Sequence, residues 1–442
     1  MLNSVHSTKS IWDRGCRRER FALLLAFALT LLTSHSAQGQ TFSVLHNFTG
    51  GSDGAGPYAG LTLDGAGNLY GTASTGGFSG GDCGTGCGVV YKLRPVHSAW
   101  LFTPIYSFQG HANQDGEQPA ARVVFGPDGA LYGTTEYGGA GGACIDGCGT
   151  VYRLTPAATV CKTALCPWTE TILHSFGLSD GVSPGSGDVA FDASGNLYGT
   201  TIQGGGYMSD CLEYGCGVAY EISPSNGGWY TNVIYEFASG STNTPFSGFI
   251  FDSWGNLYGT TSSGGEAGFG SVYELSLVDG LWSQTVLYSF LNESDGAGPE
   301  AGLVADGSGN YYGATTFGGV NGGGTIFELS PVGDGWSYSV LYSFTGHRGT
   351  SATLTMSAAG NLYGTTESDG SNRLGNIFQL TRTNGSWTYT SLHDFTGGAD
   401  GAYPASNVVL DSNGNLYGTA AGGGIASDCG GNGCGVVWEI TP

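Results

Sequence analysis

Charge is what this chain has least of, and positive charge above all. Charged residues make up 11% of its 442 positions, and 13 lysines and arginines face 35 aspartates and glutamates. A surface so poor in cations repels phosphate backbones, which excludes nucleic acid as a partner. Long apolar runs are missing as well. The one sizeable stretch, 21–33, is about 13 residues long, too short to span a bilayer. Disorder is excluded by the 12% of aromatic residues and the low charge. The 82 glycines follow no three-residue period and come with 14 prolines, which excludes a collagen-like rod. What remains is glycine mixed with tyrosine, valine and threonine, the composition of many short strands joined by tight turns.

The first 39 residues read as a secretory signal peptide. Arg14, Arg17, Arg18 and Arg20 precede the apolar run, and Ala37-Gln38-Gly39 supplies small residues for cleavage. Removal of 1–39 leaves 40–442 with 8 basic and 33 acidic residues, a net charge of −25. The expected product is a secreted or periplasmic monomer with no membrane span.

Three signatures recur seven times each. GNLYGT or a near variant stands at Gly67–Thr72, Gly129–Thr134, Gly195–Thr200, Gly255–Thr260, Gly309–Ala314, Gly360–Thr365 and Gly414–Thr419. A VYEL-like strand follows each of these, from Val89–Leu93 to Val436–Ile440. A VLYSF-like strand stands at Val44–Phe48, Ile105–Phe108, Ile172–Phe176, Val233–Phe237, Val286–Phe290, Val340–Phe344 and Ser391–Phe395. A further apolar segment such as Gly60–Asp64 precedes each GNLYGT, across a D-x-x-G-N hairpin turn. Each unit therefore offers four strands, A to D. The chain opens on an orphan D strand, Thr41–Phe48, and finishes on an A-B-C set without its D. The two fit together. The fold expected is all-β, a seven-bladed β-propeller closed by the N-terminal strand joining the C-terminal blade.

Both faces of a blade are buried against neighbours, so strands apolar on both sides are expected. The glycine after each repeat tyrosine leaves room for an aromatic ring of the next strand or blade. The tyrosines themselves read as packing residues. The repeat resembles that of the bacterial choice-of-anchor proteins, the Gloeo_Verruco (GloVer) tandem repeat, through GNLYGTT, the GG that follows, and the two strands after it. The resemblance covers 41–442 and implies no catalytic residues. Proteins of that kind carry C-terminal sorting segments, whereas Ile440-Thr441-Pro442 here follows directly on a C strand.

Ten cysteines beyond residue 39 fall in close pairs: Cys83 with Cys87, Cys144 with Cys148, Cys161 with Cys166, Cys211 with Cys216, and Cys429 with Cys434. Local disulfides are expected, since zinc needs converging ligands and no histidine lies near the pairs. Closing such short loops contributes only about 2 kcal/mol, so local order is the expected gain. Four pairs lie in B-to-C loops of units 1, 2, 3 and 7, an arc of one face once the ring closes. The fifth, Cys161 and Cys166, lies in a C-to-D loop on the other face.

The same decorated face carries D-G-x-x-P loops between D and A, with Asp53, Asp115, Asp180, Asp295 and Asp400. These carboxylates mark the candidate ligand-binding face. One per blade is too thin for calcium, and a turn in which each caps its own backbone is the plainer reading. No GxSxG, HExxH or P-loop is present, and no cofactor or metal site is called for. His46, His174 and His393 occupy a D-strand position that is tyrosine in the other four units, as Tyr106, Tyr235, Tyr288 and Tyr342, which marks it as a packing position. The functional expectation is a binding or scaffold protein for extracellular glycan or protein ligands. The alternative is a polysaccharide hydrolase or lyase using carboxylates on the loop face or in the central channel.

Overall fold

The computed structural model describes residues 40–80, 83–141, 144–156, 168–185, 187–206, 211, 215–225, 227–238, 242–425 and 429–442. The expected signal peptide, 1–39, lies outside them. So do Cys161 and Cys166, the expected fifth disulfide pair. Among the described residues there is no α-helix, only one 3-10 turn at His111–Asn113.

Phe42–Thr441 folds into seven four-stranded antiparallel sheets arranged in a ring, a seven-bladed propeller. In blade 1 the order is A (Thr62–Leu63), B (Leu69–Ala73), C (Val89–Val96) and D (Ala99–Ser107). Blade 7 has A (Val409–Leu410), B (Leu416–Ala420) and C (Val436–Thr441) from the C-terminal end of the chain, and D (Thr41–Asn47) from the other. The orphan strand closes the ring as the sequence implies.

Burial follows the strand order. Every residue of strand B in blade 1 is buried, and so is the start of strand C, whereas D is only partly covered and forms the outer edge. The A-B turn is built by its aspartate. Asp64 accepts from the backbone N–H of Ala66 and Asn68, the Asn68 amide and the Tyr70 hydroxyl. Tyr70 is thereby held in the inter-blade core, 3% exposed, with Phe125 of blade 2 against its ring.

The glycine after that tyrosine has the expected use, and the ring it admits belongs to strand C of its own blade. A Cβ on Gly71 would lie 2.5 Å from the Tyr91 hydroxyl, and one on Gly418 would lie 2.3 Å from the Trp438 ring. The seven C-strand residues at this place are Tyr91, Tyr152, Tyr220, Tyr273, Phe327, Phe378 and Trp438, all fully buried. The four tyrosine hydroxyls find no hydrogen-bond partner among the described residues. A buried, unpaired hydroxyl costs free energy, and blades 5 and 6 avoid it with phenylalanine. Tyr220→Phe is therefore expected to raise stability by about 1 kcal/mol. Urea unfolding of the single variant checks this, and a loss of stability would show that the hydroxyl is satisfied.

A second system joins the blades at the outer rim. The D-strand position held by His46, Tyr106, Tyr235, Tyr288, Tyr342 and His393 faces a D-strand residue of the next blade, while the seventh, His174, lies edge-on to Phe176 of its own unit. His46 stacks on Phe102 at 3.9 Å, Tyr288 on Tyr338 at 3.9 Å, Tyr342 on Tyr389 at 4.1 Å and His393 on Phe42 at 3.7 Å. Where the partner is polar, a hydrogen bond replaces the stack. Tyr106 donates to Glu170 (2.9 Å) and Tyr235 to Gln284 (3.2 Å). These histidines do pack, as their exchange with tyrosine suggests.

Candidate functional site

The loop aspartates singled out in the sequence sit at the D-to-A turns, each tied to the D strand of its own unit. Asp53 accepts from His46 at 3.1 Å and from the Thr49 N–H, and Asp400 does the same with His393 and Thr396. Asp180 accepts from His174 (2.8 Å) and the Gly177 N–H. Asp115 takes the Tyr106 hydroxyl and the Gln109 N–H, and Asp295 takes the Tyr288 hydroxyl and the Leu291 N–H. Burial pushes the Asp53 carboxyl up, but hydrogen bonds from His46 and Thr49 outweigh it and its pKa lies below the ordinary value. Asp180 is lowered in the same way, against burial, chiefly by His174. All five carboxylates are engaged by the turn and by the D strand that leads into it. The structure does not bring them together.

The D-to-A loop is also latched to the preceding blade. The residue before each loop proline donates its N–H to a carbonyl in that blade's B-to-C loop. The pairs are Gly56 to Cys434, Gln118 to Cys87, Ser183 to Cys148 and Thr244 to Cys216, at 2.9–3.1 Å. Four disulfides, Cys83–Cys87, Cys144–Cys148, Cys211–Cys216 and Cys429–Cys434, thus sit at seams between blades. These are the four pairs expected in B-to-C loops, while the pairing expected of Cys161 with Cys166 falls outside the described residues. The second cysteine of each of the four is at most 1% exposed. A Cβ on Gly110, in the next D-to-A loop, would lie 2.5 Å from Cys83 Sγ, so the sulfur packs beneath that loop. The disulfides therefore do more than order a loop. They form part of the core under the decorated face.

What the loops surround is a cavity of about 720 Å³ at the mouth of the central channel. One residue from the start of each A strand lines it: Gly60, Arg122, Asp188, Gly248, Gly302, Thr353 and Asn407. This is a column in which the repeat does not repeat. Asp188 accepts from the Arg122 guanidinium (2.8 Å) and from the Arg122 N–H, joining blades 2 and 3. The Thr353 hydroxyl takes the Gly302 N–H at 3.0 Å, joining blades 5 and 6. A Cβ on Gly60 would fall 1.3 Å from Asn407 Oδ1, so glycine alone lets that amide lie across the seam of blades 7 and 1.

Further side chains reach the mouth from the loops. Arg348 is clamped between Glu300 (2.7 Å) and Glu367 (3.1 Å), and Glu367 also accepts from the Ser351 hydroxyl. Glu136 accepts from Ser183 at 3.3 Å. Tyr58, Gln118, Phe246 and Tyr403 complete the wall. A second pocket of about 390 Å³ opens beside the first and shares Tyr58, Ser74, Glu367 and Tyr403 with it. Among the described residues no group of three or more His, Cys, Asp or Glu side chains is placed to hold a metal ion.

None of the channel residues was singled out from the sequence. The signal that could have found them is departure from the repeat. Aligning the seven units at the A strand leaves one column holding an arginine, an aspartate, an asparagine, a threonine and three glycines.

Fold and site define a β-propeller of tandem repeats with a polar cavity at one end of its central channel. The chain belongs to the Gloeobacter/Verrucomicrobia repeat family, which matches over residues 30–210 and 206–431. No curated protein sequence matches the chain. Among solved structures it is similar to a provisionally assigned 6-phosphogluconolactonase from Bacteroides uniformis. That pair has 14% identity and a TM-score of 0.49, and the match covers 80% of this chain and 89% of that one. It is also similar to a provisionally assigned oxidoreductase (glucose dehydrogenase) from Thermus thermophilus. There the identity is 14% and the TM-score 0.43, over 91% of this chain and all of the other.

Proposed function

We propose that this propeller is an extracellular binding module that holds a polar ligand at the channel mouth, on the face bearing the D-to-A and B-to-C loops. The observation that carries the reading is the 720 Å³ cavity, lined by side chains that break the repeat while the blades around it keep it. Packing alone would favour seven equivalent residues there. Loops on a rigid repeat scaffold are where such proteins carry function. Four disulfides at the seams support an oxidising compartment. Among the described residues no helix is long and apolar enough to cross a membrane.

The four carboxylates at the mouth, Glu136, Asp188, Glu300 and Glu367, favour the second reading, a polysaccharide hydrolase or lyase. Against it, Asp188, Glu300 and Glu367 are each bound to an arginine, as parts of ion pairs rather than as a free acid and base. The test is to screen residues 40–442 on glycan and protein arrays, with reducing-end release measured in parallel. Binding without release is expected, and Arg348→Ala should weaken it by about tenfold or more. Trp254→Ala, at an exposed A-B turn, should leave it unchanged. Release of reducing ends would replace the binding reading with the hydrolytic one, and binding indifferent to Arg348 would move the site elsewhere.

A further inference from the structure

The smaller pocket beside the channel mouth has a chemistry of its own. It lies at the seam where blade 7 meets blade 1, the place where the two ends of the chain close the ring. Its walls are Tyr58, Ser74 and Thr75 from blade 1, Tyr403, Cys429 and Asn432 from blade 7, and Glu367 from blade 6. Both tyrosines keep much of their surface open, Tyr58 at 54% and Tyr403 at 42%. These two exposed loop tyrosines are unlike the GNLYGT tyrosines of this chain, such as Tyr70, which are packed between blades.

Tyr403 owes its place to the turn. Its φ is +54°, in the left-handed region, at the residue before the loop proline. The other loops with that proline take the same conformation there, with glycine at Gly56 (+63°) and Gly298 (+60°) and with Gln118 (+54°), Ser183 (+61°) and Thr244 (+58°) elsewhere. Glycine takes it at no steric cost, so Tyr403→Gly leaves the turn intact.

The walls are fixed before any ligand arrives. Gly56 donates to the Cys434 carbonyl (3.1 Å), Tyr403 to Leu374 (2.9 Å), Ala421 to Tyr403 (3.2 Å) and Gly423 to Asn432 (2.7 Å). The Ser74 hydroxyl is bonded to Gly56 O at 3.0 Å. The Cys429–Cys434 disulfide brackets the segment that carries Asn432. A preformed pocket loses little entropy when it binds.

Charge narrows the ligand. The cavity at the mouth is lined by two arginines, Arg122 and Arg348, against four carboxylates, Glu136, Asp188, Glu300 and Glu367. Both arginines are already paired with those carboxylates. Among the described residues that line the two pockets no cation is left over for a phosphate, a sulfate or a uronate, and the excess charge repels them. Two open aromatic faces beside a carboxylate, an amide and hydroxyls suit a neutral ring with one C–H face and a rim of hydroxyl groups.

We propose that this seam pocket is a subsite for a neutral sugar ring of an oligosaccharide. The ring stacks on Tyr58 or Tyr403, its hydroxyls are bonded to Glu367, Ser74 and Asn432, and the rest of the oligosaccharide runs toward the channel mouth. The assignment rests on the binding-module reading and adds to it the ligand class and the place of the first contact.

The experiment is isothermal titration of residues 40–442 with hexasaccharides of neutral hexoses and pentoses in different linkages, and with oligogalacturonate, at physiological salt. At least one neutral oligosaccharide should bind and oligogalacturonate should not. Tyr58→Ala and Tyr403→Ala should each weaken binding about tenfold or more. Tyr403→Gly should lose the same binding with no fall in unfolding temperature, which separates the aromatic contact from the fold. If the tyrosine variants bind normally while Arg348→Ala does not, the channel mouth binds sugar and the seam assignment is wrong. If oligogalacturonate binds instead, the ligand chemistry is wrong. If no oligosaccharide binds but a protein ligand does, the subsite falls and the binding module stands. If nothing binds on either array, both fall.

Discussion

A chain lacking Thr41–Phe48 is expected to lose the cooperative unfolding of the intact ring, and a synthetic peptide of those residues should restore it. Strand D of blade 7 is the only described blade strand that reaches its sheet from the opposite end of the chain. It lies beside Val436–Thr441, and Phe48 donates its N–H to the Gly435 carbonyl at 3.1 Å. Without it, strand C of blade 7 becomes a raw edge, and Trp438 and Val437 lose part of their cover. The side chain with most to lose is Phe48, 0% exposed and packed against Tyr91 and Phe102 of blade 1. Phe48→Ala alone should cost about 3–5 kcal/mol, as for other fully buried phenylalanines. Phe344→Ala, at the equivalent place inside a continuous blade, is the reference. Equal losses in urea unfolding would show that closure adds nothing beyond packing. A larger loss at Phe48, with rescue of the truncated chain by the peptide, would show that the seam is the weak point of the ring.

Blade number, strand order and closure were legible in the sequence because they rest on residues that recur. The strand-B glycine facing Tyr91, the A-B turn and the D-strand phenylalanine meet the same demand in each blade, so seven copies display it. The rim contacts were half legible. One partner of each pair recurs as histidine or tyrosine, but the other is Phe102, Glu170, Gln284, Tyr338, Tyr389 or Phe42, and no pattern links residues so different. The channel was not legible at all. Arg122 and Asp188 are 66 positions apart in successive blades, and Gly60 and Asn407 lie near opposite ends of the chain and meet only because the ring closes. The loop aspartates drew attention because they recur, and recurrence here reflected the turn. A site built once per ring is to be sought in the columns where the units disagree.

Glu170→Gln is expected to stabilise the protein at pH 8 by about 2 kcal/mol and to flatten its stability between pH 5 and pH 8. Glu170 stands at the rim between blades 1 and 2, where the other blades place an aromatic or neutral residue. Its Oε2 accepts from Tyr106, its Oε1 is buried without a hydrogen-bond partner among the described residues, and Tyr106 also bonds to Asp115. Burial first, and the Asp115 charge second, push the Glu170 carboxyl up to about 8, while the Tyr106 hydroxyl works the other way. A carboxyl whose folded pKa is raised binds more protons folded than unfolded. Its contribution to stability is therefore fully present below its unfolded value, near 4.3, and is lost as pH rises toward 8. The aspartates with lowered pKa, among them Asp53, Asp64 and Asp400, act in the opposite direction and at lower pH. Between pH 5 and 8 the Glu170 effect should dominate. Blade 4 shows that an amide fits, since Gln284 at the same position accepts from Tyr235 at 3.2 Å and exchanges hydrogen bonds with Thr242. The measurement is urea unfolding of both proteins at pH 5, 6, 7 and 8. The wild type should weaken across the series and the variant should not. A parallel decline in the two proteins would mean that Glu170 is ionised in the folded ring and that the pH dependence arises elsewhere.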